Sequence, residues 1–172
     1  MSIDLTTILG NLAESLLSIG FLIEGLGYMI GIVLVMTGLK KLTKTNFSQE
    51  GAGGPVAYIL GGAVLIYLPS SAHVLSNTLF GSDIGSNNIL QYTKYNVIDF
   101  YGSMGVLIQT AGLIWFVRGA ILLAHASEPG KHEGSKGLLF VIAGVLAMNI
   151  SYTVGVLDII STYFLTMTGS VF

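Results

Sequence analysis

Residues 25–42, GLGYMIGIVLVMTGLKKL, decide how this chain is read: a glycine-studded apolar run ends on two lysines. After a short polar loop, residues 54–70, GPVAYILGGAVLIYLPS, bring the chain back. The pattern then returns, because Gly20 to Ala72 is echoed by Met104 to Val154. Laying Gly31 on Gly112 also lays Gly38 on Gly119, Leu26 on Leu107 and Ile23 on Met104. With one extra residue in the loop, Gly62 falls on Gly144, Tyr58 on Phe140, Val74 on Val156 and Leu75 on Leu157. A two-helix unit used twice is the simplest reading.

Composition places that unit in a bilayer. The 172 residues are 52% apolar and only 9% charged, where a soluble domain carries about a quarter charged residues. Mean hydropathy is +0.78. With no cysteine, disulfides, thiolate metal sites and cysteine nucleophiles are excluded. A net charge of -2 gives no long-range pull on nucleic acid.

The charges leave long gaps from 51 to 82, 100 to 117 and 137 to 157, and 25–39 is nearly as long. Each gap approaches the ~20 apolar residues that cross ~30 Å of hydrocarbon. Four spans are expected, near 18–39, 55–80, 102–124 and 137–167. The second and fourth exceed the minimum and should tilt, break or protrude. Lys40, Lys41, Lys44, Arg118, Lys131 and Lys136 sit in or beside the two loops that close the hairpins, whereas Lys94 lies among Asp83 and Asp99. The positive-inside rule then puts both hairpin tips in the cytoplasm, with the middle loop and both termini outside.

The fold class expected is an all-α membrane protein, four transmembrane helices forming two tandem hairpins, preceded by a short amphipathic helix. Residues 1–17 form that interfacial helix, since Leu5, Ile8, Leu9, Leu12 and Leu16 recur at helical spacing. They hold no Lys or Arg, so no secretory-signal cleavage is expected. Residues 18–80 form the first hairpin, 81–101 an extracytoplasmic linker rich in turn residues, and 102–172 the second hairpin. Tyr92, Tyr95, Phe100 and Tyr101 suit the headgroup layer.

Function is read from what remains polar. Both tips, KKLTKTNFSQEGAGG (40–54) and HASEPGKHEGSKG (125–137), offer cations to an anionic surface, phospholipid headgroups or nucleic acid. Plain topological retention explains the same lysines. His73, His125 and His132 lack metal-site spacing, and Ser70 and Ser71 have no nucleophile context, so no enzyme and no metal are expected. Glu24, Asn149 and Asp158 are polar at membrane depth, where a charge costs at least ~2.5 kcal/mol and faces protein or water. Glu24 and Asp158 suit structural use or contact with a second subunit, and Asn149 suits an interhelical hydrogen bond. Gly27 and Gly31, Ala57 and Gly61, and Gly112 and Gly144 are placed for close helix packing. Pro69 should bend or end the second span, while Ser151 in the matching place leaves the fourth straighter.

The two runs quoted first, joined by their glycine-bearing loop, resemble the paired-helix membrane subunits of type IVB secretion and conjugation systems, the DotE/IcmC and TraQ-like proteins. ISYT (150–153) stands where the first unit has LPSS. The resemblance covers most of the chain and implies membership in an envelope-spanning machine exporting protein or DNA. Two apolar helices with a basic tip are also similar in architecture to TraA-type pilins of type IV secretion systems, which assemble with phospholipid into tubes. The expected role is therefore a non-enzymatic subunit of the bacterial inner membrane, pilin-like, that self-assembles into a tubular conduit or an extracellular conjugative pilus. Its expected partners are copies of itself, other subunits of the apparatus, phospholipid, anionic lipid included, and translocated DNA or protein passing the basic loops. The alternative is a small channel or transporter using Glu24, Arg118 and Asp158.

Overall fold

The computed structural model of the protein describes residues 5–44, 53–81, 100–126, 128 and 133–169. These are all helical apart from short connections: α1 (Leu5–Lys44), α2 (Gly53–Ile66), α3 (Leu68–Phe80), α4 (Phe100–His125), α5 (Gly134–Met148) and α6 (Ile150–Gly169). Three helices, α1, α4 and α6, are long and apolar enough to cross a membrane, and a fourth span results if α2 and α3 count as one.

Two expectations change here. Residues 5–17 are not a separate helix: α1 runs unbroken for 40 residues, about 60 Å at ~1.5 Å per residue. No proline or positive-φ residue interrupts its Leu-, Ile- and Gly-rich run, so the amphipathic segment continues into the first span. Nor does the fourth span run straight. The second span bends by 98° at Tyr67, between α2 and α3. The fourth breaks at the matching residue, Asn149, between α5 and α6. The backbone angles nearly coincide, φ -101°, ψ 39° at Tyr67 and φ -110°, ψ 44° at Asn149.

The repeat, and not the proline, locates these breaks. Pro69 stands in the first turn of α3, where no backbone N–H is needed, and Ser151 replaces it in the second unit. What both breaks share is a hydroxyl one turn on. Ser71 Oγ donates to the Val64 carbonyl at 2.9 Å, and Thr153 Oγ1 donates to the Leu146 carbonyl at 2.7 Å. Each bridges seven residues across the break and satisfies a carbonyl that the interrupted ladder leaves open.

Close packing follows the same register. In α1 against α2, a Cβ on Gly31 would stand 2.8 Å from the Gly62 carbonyl oxygen and 2.9 Å from Ile66 N. In α4 against α5, a Cβ on Gly112 would stand 2.9 Å from the Gly144 carbonyl oxygen and 2.8 Å from Met148 N. Gly38 lies as close to the Pro55 carbonyl as Gly119 does to that of Gly137, 2.9 Å in each case. The two helix pairs, their backbones nearly touching, thus share these contacts at matching positions of the repeat.

The pairs meet through α4. It buries Ser103, Val106, Thr110, Leu113, Val117, Ala120 and Ala124, alternating steps of three and four residues as in a coiled-coil seam. α1 contributes buried Ala13, Gly20, Gly27 and Leu34 at intervals of seven. Gly61 belongs to this contact as well: its Cβ would fall 2.9 Å from that of Ala124, so it faces the second unit, not α1.

Candidate functional site: the joined tips and the two helix breaks

The carboxyl end of α1 and the chain just after α4 meet at one end of the molecule. Lys41 Nζ donates to Glu128 Oε1 at 2.5 Å, and the Tyr58 hydroxyl donates to the same oxygen. The Lys41 ammonium also sits 4.0 Å from the Tyr58 ring centroid. His125 packs edge-on against that ring at 5.2 Å and reaches the Ile121 carbonyl through Nδ1 at 2.8 Å. Lys41 and Glu128 remain 38% and 25% exposed, so their ion pair is worth less than ~1 kcal/mol. Its consequence is positional: both tips lie at the same end.

Below this cluster an open groove of about 550 Å³ runs between α1 and α4. Met29, Val33, Leu34 and Ile121 make it apolar, and Lys41 and His125 stand at its polar end.

The second unit repeats the cation and the ring with a shift of one turn. Arg118 lies 5.2 Å from the Phe140 ring centroid, and Phe140 occupies the place of Tyr58. Lys41 comes from one turn further along its helix than the position matching Arg118. Arg118, Lys40, Lys44 and Lys136 are exposed, while Lys131 lies outside the described residues.

At the breaks, Asn149 Nδ2 donates to Ser76 Oγ at 2.7 Å and to the Val145 carbonyl at 2.9 Å. Ser76 Oγ in turn donates to the Ala72 carbonyl at 2.9 Å. Phe80 and Tyr152 pack beside them, their rings tilted by 42° with centroids 6.3 Å apart. α3 thus lies across the second unit at its break. Glu24 is half-buried, with Oε1 enclosed and unbonded among the described residues; His73 Nε2, Asn77 Oδ1 and Gln109 Oε1 are in the same condition. Asp158 is exposed on α6, and none of the window Ile150–Met167 is buried. Gly27 meets Leu68 Cδ1 at 3.0 Å from its would-be Cβ, and Ala57 is half-buried. Among the described residues no three His, Asp or Glu gather to hold a metal.

The contact of Tyr58 with Glu128 and the bonds of Ser71 and Thr153 across the breaks are not read from the sequence, where Ser71 stands only as a hydroxyl without nucleophile context. Tyr58 was aligned with Phe140, and the basic residue near each was the signal that could have joined them. Glu128 could not be placed, because a loop carboxylate carries no periodicity.

No family model matches this chain, and searches of curated proteins and of solved structures likewise find no match.

Proposed function

We propose that the protein is a non-enzymatic structural subunit of a bacterial inner membrane that assembles with copies of itself. By its resemblance it serves a type IVB conjugation or secretion apparatus as a pilin-like element of a conduit or pilus. One observation carries the reading. α6 is a 20-residue apolar helix with no buried residue in its spanning window, and it bears Asp158 near its middle. Lipid can cover the apolar side chains, but a carboxylate left in hydrocarbon costs at least ~2.5 kcal/mol. Contact with another subunit removes that cost.

The joined tips support the rest. Lys40, Lys44 and Lys136 are exposed at or near the end that the Lys41–Glu128 pair defines, so an assembly would gather their charge on one rim. Facing the cytoplasm or a lumen, that rim suits phospholipid headgroups or passing DNA or protein. The groove that leads to Lys41 suits an acyl chain below an anionic headgroup.

A second reading, a small channel or transporter, is favoured by helices broken at matching places in two repeats and by the enclosed oxygen of Glu24. Purification in mild detergent separates the two. Large homo-oligomers carrying phospholipid, seen by electron microscopy and native mass spectrometry, support the structural reading. Monomers that conduct ions in liposomes, with flux abolished by Glu24→Gln, refute it. In cells, joint neutralisation of Lys40, Lys41, Lys44, Lys131 and Lys136 impairs plasmid or effector transfer while assembly and orientation persist.

A further inference from the structure

Inside one chain the first unit already shows how a unit receives its neighbour. α3, the helix beyond the first break, lies on the second break, where Ser76 meets Asn149 and Phe80 meets Tyr152. On α3, Ala72 and Ser76 are 1% and 0% exposed. α6 is the matching helix of the second unit, yet Val154, which matches Ala72, is 55% exposed. The matching break in the first unit is equally bare: Tyr67 is 68% exposed and Ser70 is exposed. One chain thus holds an occupied copy of this contact, with the matching positions of α6, Val154 and Asp158, exposed at one end and the matching break, Tyr67 and Ser70, exposed at the other.

We infer that α6 docks on the Tyr67 break of a second copy, as α3 docks on the Asn149 break of its own chain, so that copies join head to tail. The register of the repeat fixes the pairs. Asp158 takes the place of Ser76 and Tyr67 that of Asn149, so the Tyr67 hydroxyl of one copy donates to the Asp158 carboxylate of the next. Thr162 takes the place of Phe80 and Ser70 that of Tyr152, so the aromatic pair becomes a hydroxyl pair. Both exchanges are chemically complementary: a donor meets an acceptor in the first, and two aromatic rings are replaced by two hydroxyls in the second. The contact is heterologous, and it closes into a ring or continues as a filament according to the rotation per unit. The inference rests on the self-assembly reading above.

The chain has no cysteine, so engineered pairs report cleanly. Two differently tagged copies are co-expressed, one Asp158→Cys and one Tyr67→Cys, and membranes are oxidised; Thr162→Cys with Ser70→Cys is the second pair. Ser76→Cys with Asn149→Cys in one chain is the internal standard and closes within the chain. The expected result is a mixed-tag dimer from either intermolecular pair, and a ladder of multimers when one chain carries both members. Oligomers by native mass spectrometry that cross-link at neither pair, or that join Asp158→Cys only to itself, overturn the docking and leave self-assembly standing. Monomers throughout overturn both. As a measurement independent of oxidation, Tyr67→Phe leaves the carboxylate without its donor and weakens association roughly tenfold or more. The double variant Tyr67→Asn with Asp158→Ser, which copies the internal pair, restores it. Unchanged association in Tyr67→Phe counts against the contact.

Discussion

Adding a single methyl group at Gly144 tests the closeness of the helix pairs. A Cβ there would lie 2.7 Å from Phe116 N, 2.8 Å from the Gly112 carbonyl oxygen and 2.9 Å from Phe116 Cα. All three atoms are α4 backbone, so no side chain can swing aside. Ordinary contact begins at 3.4 Å, and the helices must separate by roughly half an ångström or more. A gap of that size forfeits about a quarter or more of each dispersion contact along the pair, and overpacking of this kind costs ~1–3 kcal/mol. Alanine in a helix returns up to ~1 kcal/mol over glycine, leaving Gly144→Ala destabilised by up to about 2 kcal/mol. Gly25 is the control, since nothing lies within 4 Å of its would-be Cβ and Gly25→Ala keeps only the gain. Both variants share that gain, so thermal unfolding in one detergent should separate them by the overpacking cost alone, roughly 2–12 °C at ~2–4 °C per kcal/mol for a chain of this size. If Gly144→Ala melts with or above Gly25→Ala, the backbones do not touch there and the packing argument fails.

Pro69→Ala should leave the second span bent, because Asn149 takes nearly the same backbone angles with no proline; spin-label distances from α2 to α3 that lengthen to a straight helix would refute this. Thr153→Val removes the hydroxyl that satisfies the Leu146 carbonyl and should cost ~1–3 kcal/mol in unfolding, with Ser71→Ala behaving alike at the other break. Lys41→Met should cost no more than ~1–2 kcal/mol, because both its ion pair and its cation–π contact are partly exposed; a larger loss in thermal unfolding would mean that the tips hold the units together. Cysteines at Lys44 and Ser135 should label from the same side of the membrane, since the Lys41–Glu128 contact brings both tips together; labelling from opposite sides would exclude the joined-tip arrangement.

The repeat was legible because it is written in glycines. Gly31, Gly62, Gly112 and Gly144 are spaced by backbone contact, and a contact that admits no Cβ leaves the same letter in both units. Gly61 was harder to read. Being next to Gly62, it looked like part of the same face, but adjacent helical residues point about 100° apart, and Gly61 turns to α4. The break at Asn149 carries no proline, and what it shares with the break before LPSS is a hydroxyl, Ser71 or Thr153, donating back across seven residues. Such a bond joins no periodic face, so hydrophobic patterning is blind to it. The joined tips were legible as charge and illegible as contact, because the pair spans two loops.

The lengths of the helices give the breaks a physical reason. α2 has 14 residues and α5 has 15, about 21–23 Å each, short of the ~30 Å hydrocarbon layer, while α4 with 26 residues exceeds it. On the hairpin topology expected from the sequence, with both tips at one membrane surface, both breaks would fall within the hydrocarbon layer, where an open carbonyl has no water to bond. Ser71 and Thr153 answer that need inside the chain, and protein must also cover the interrupted backbone. The second break has such a cover, since α3 lies on Asn149. The first presents an exposed Tyr67 beside an exposed Ser70, and among the described residues the helix that repeats α3 is α6, whose matching positions Val154 and Asp158 are exposed. A fold that satisfies one of two equivalent breaks internally and leaves the other exposed is what the proposed head-to-tail docking of copies would complete.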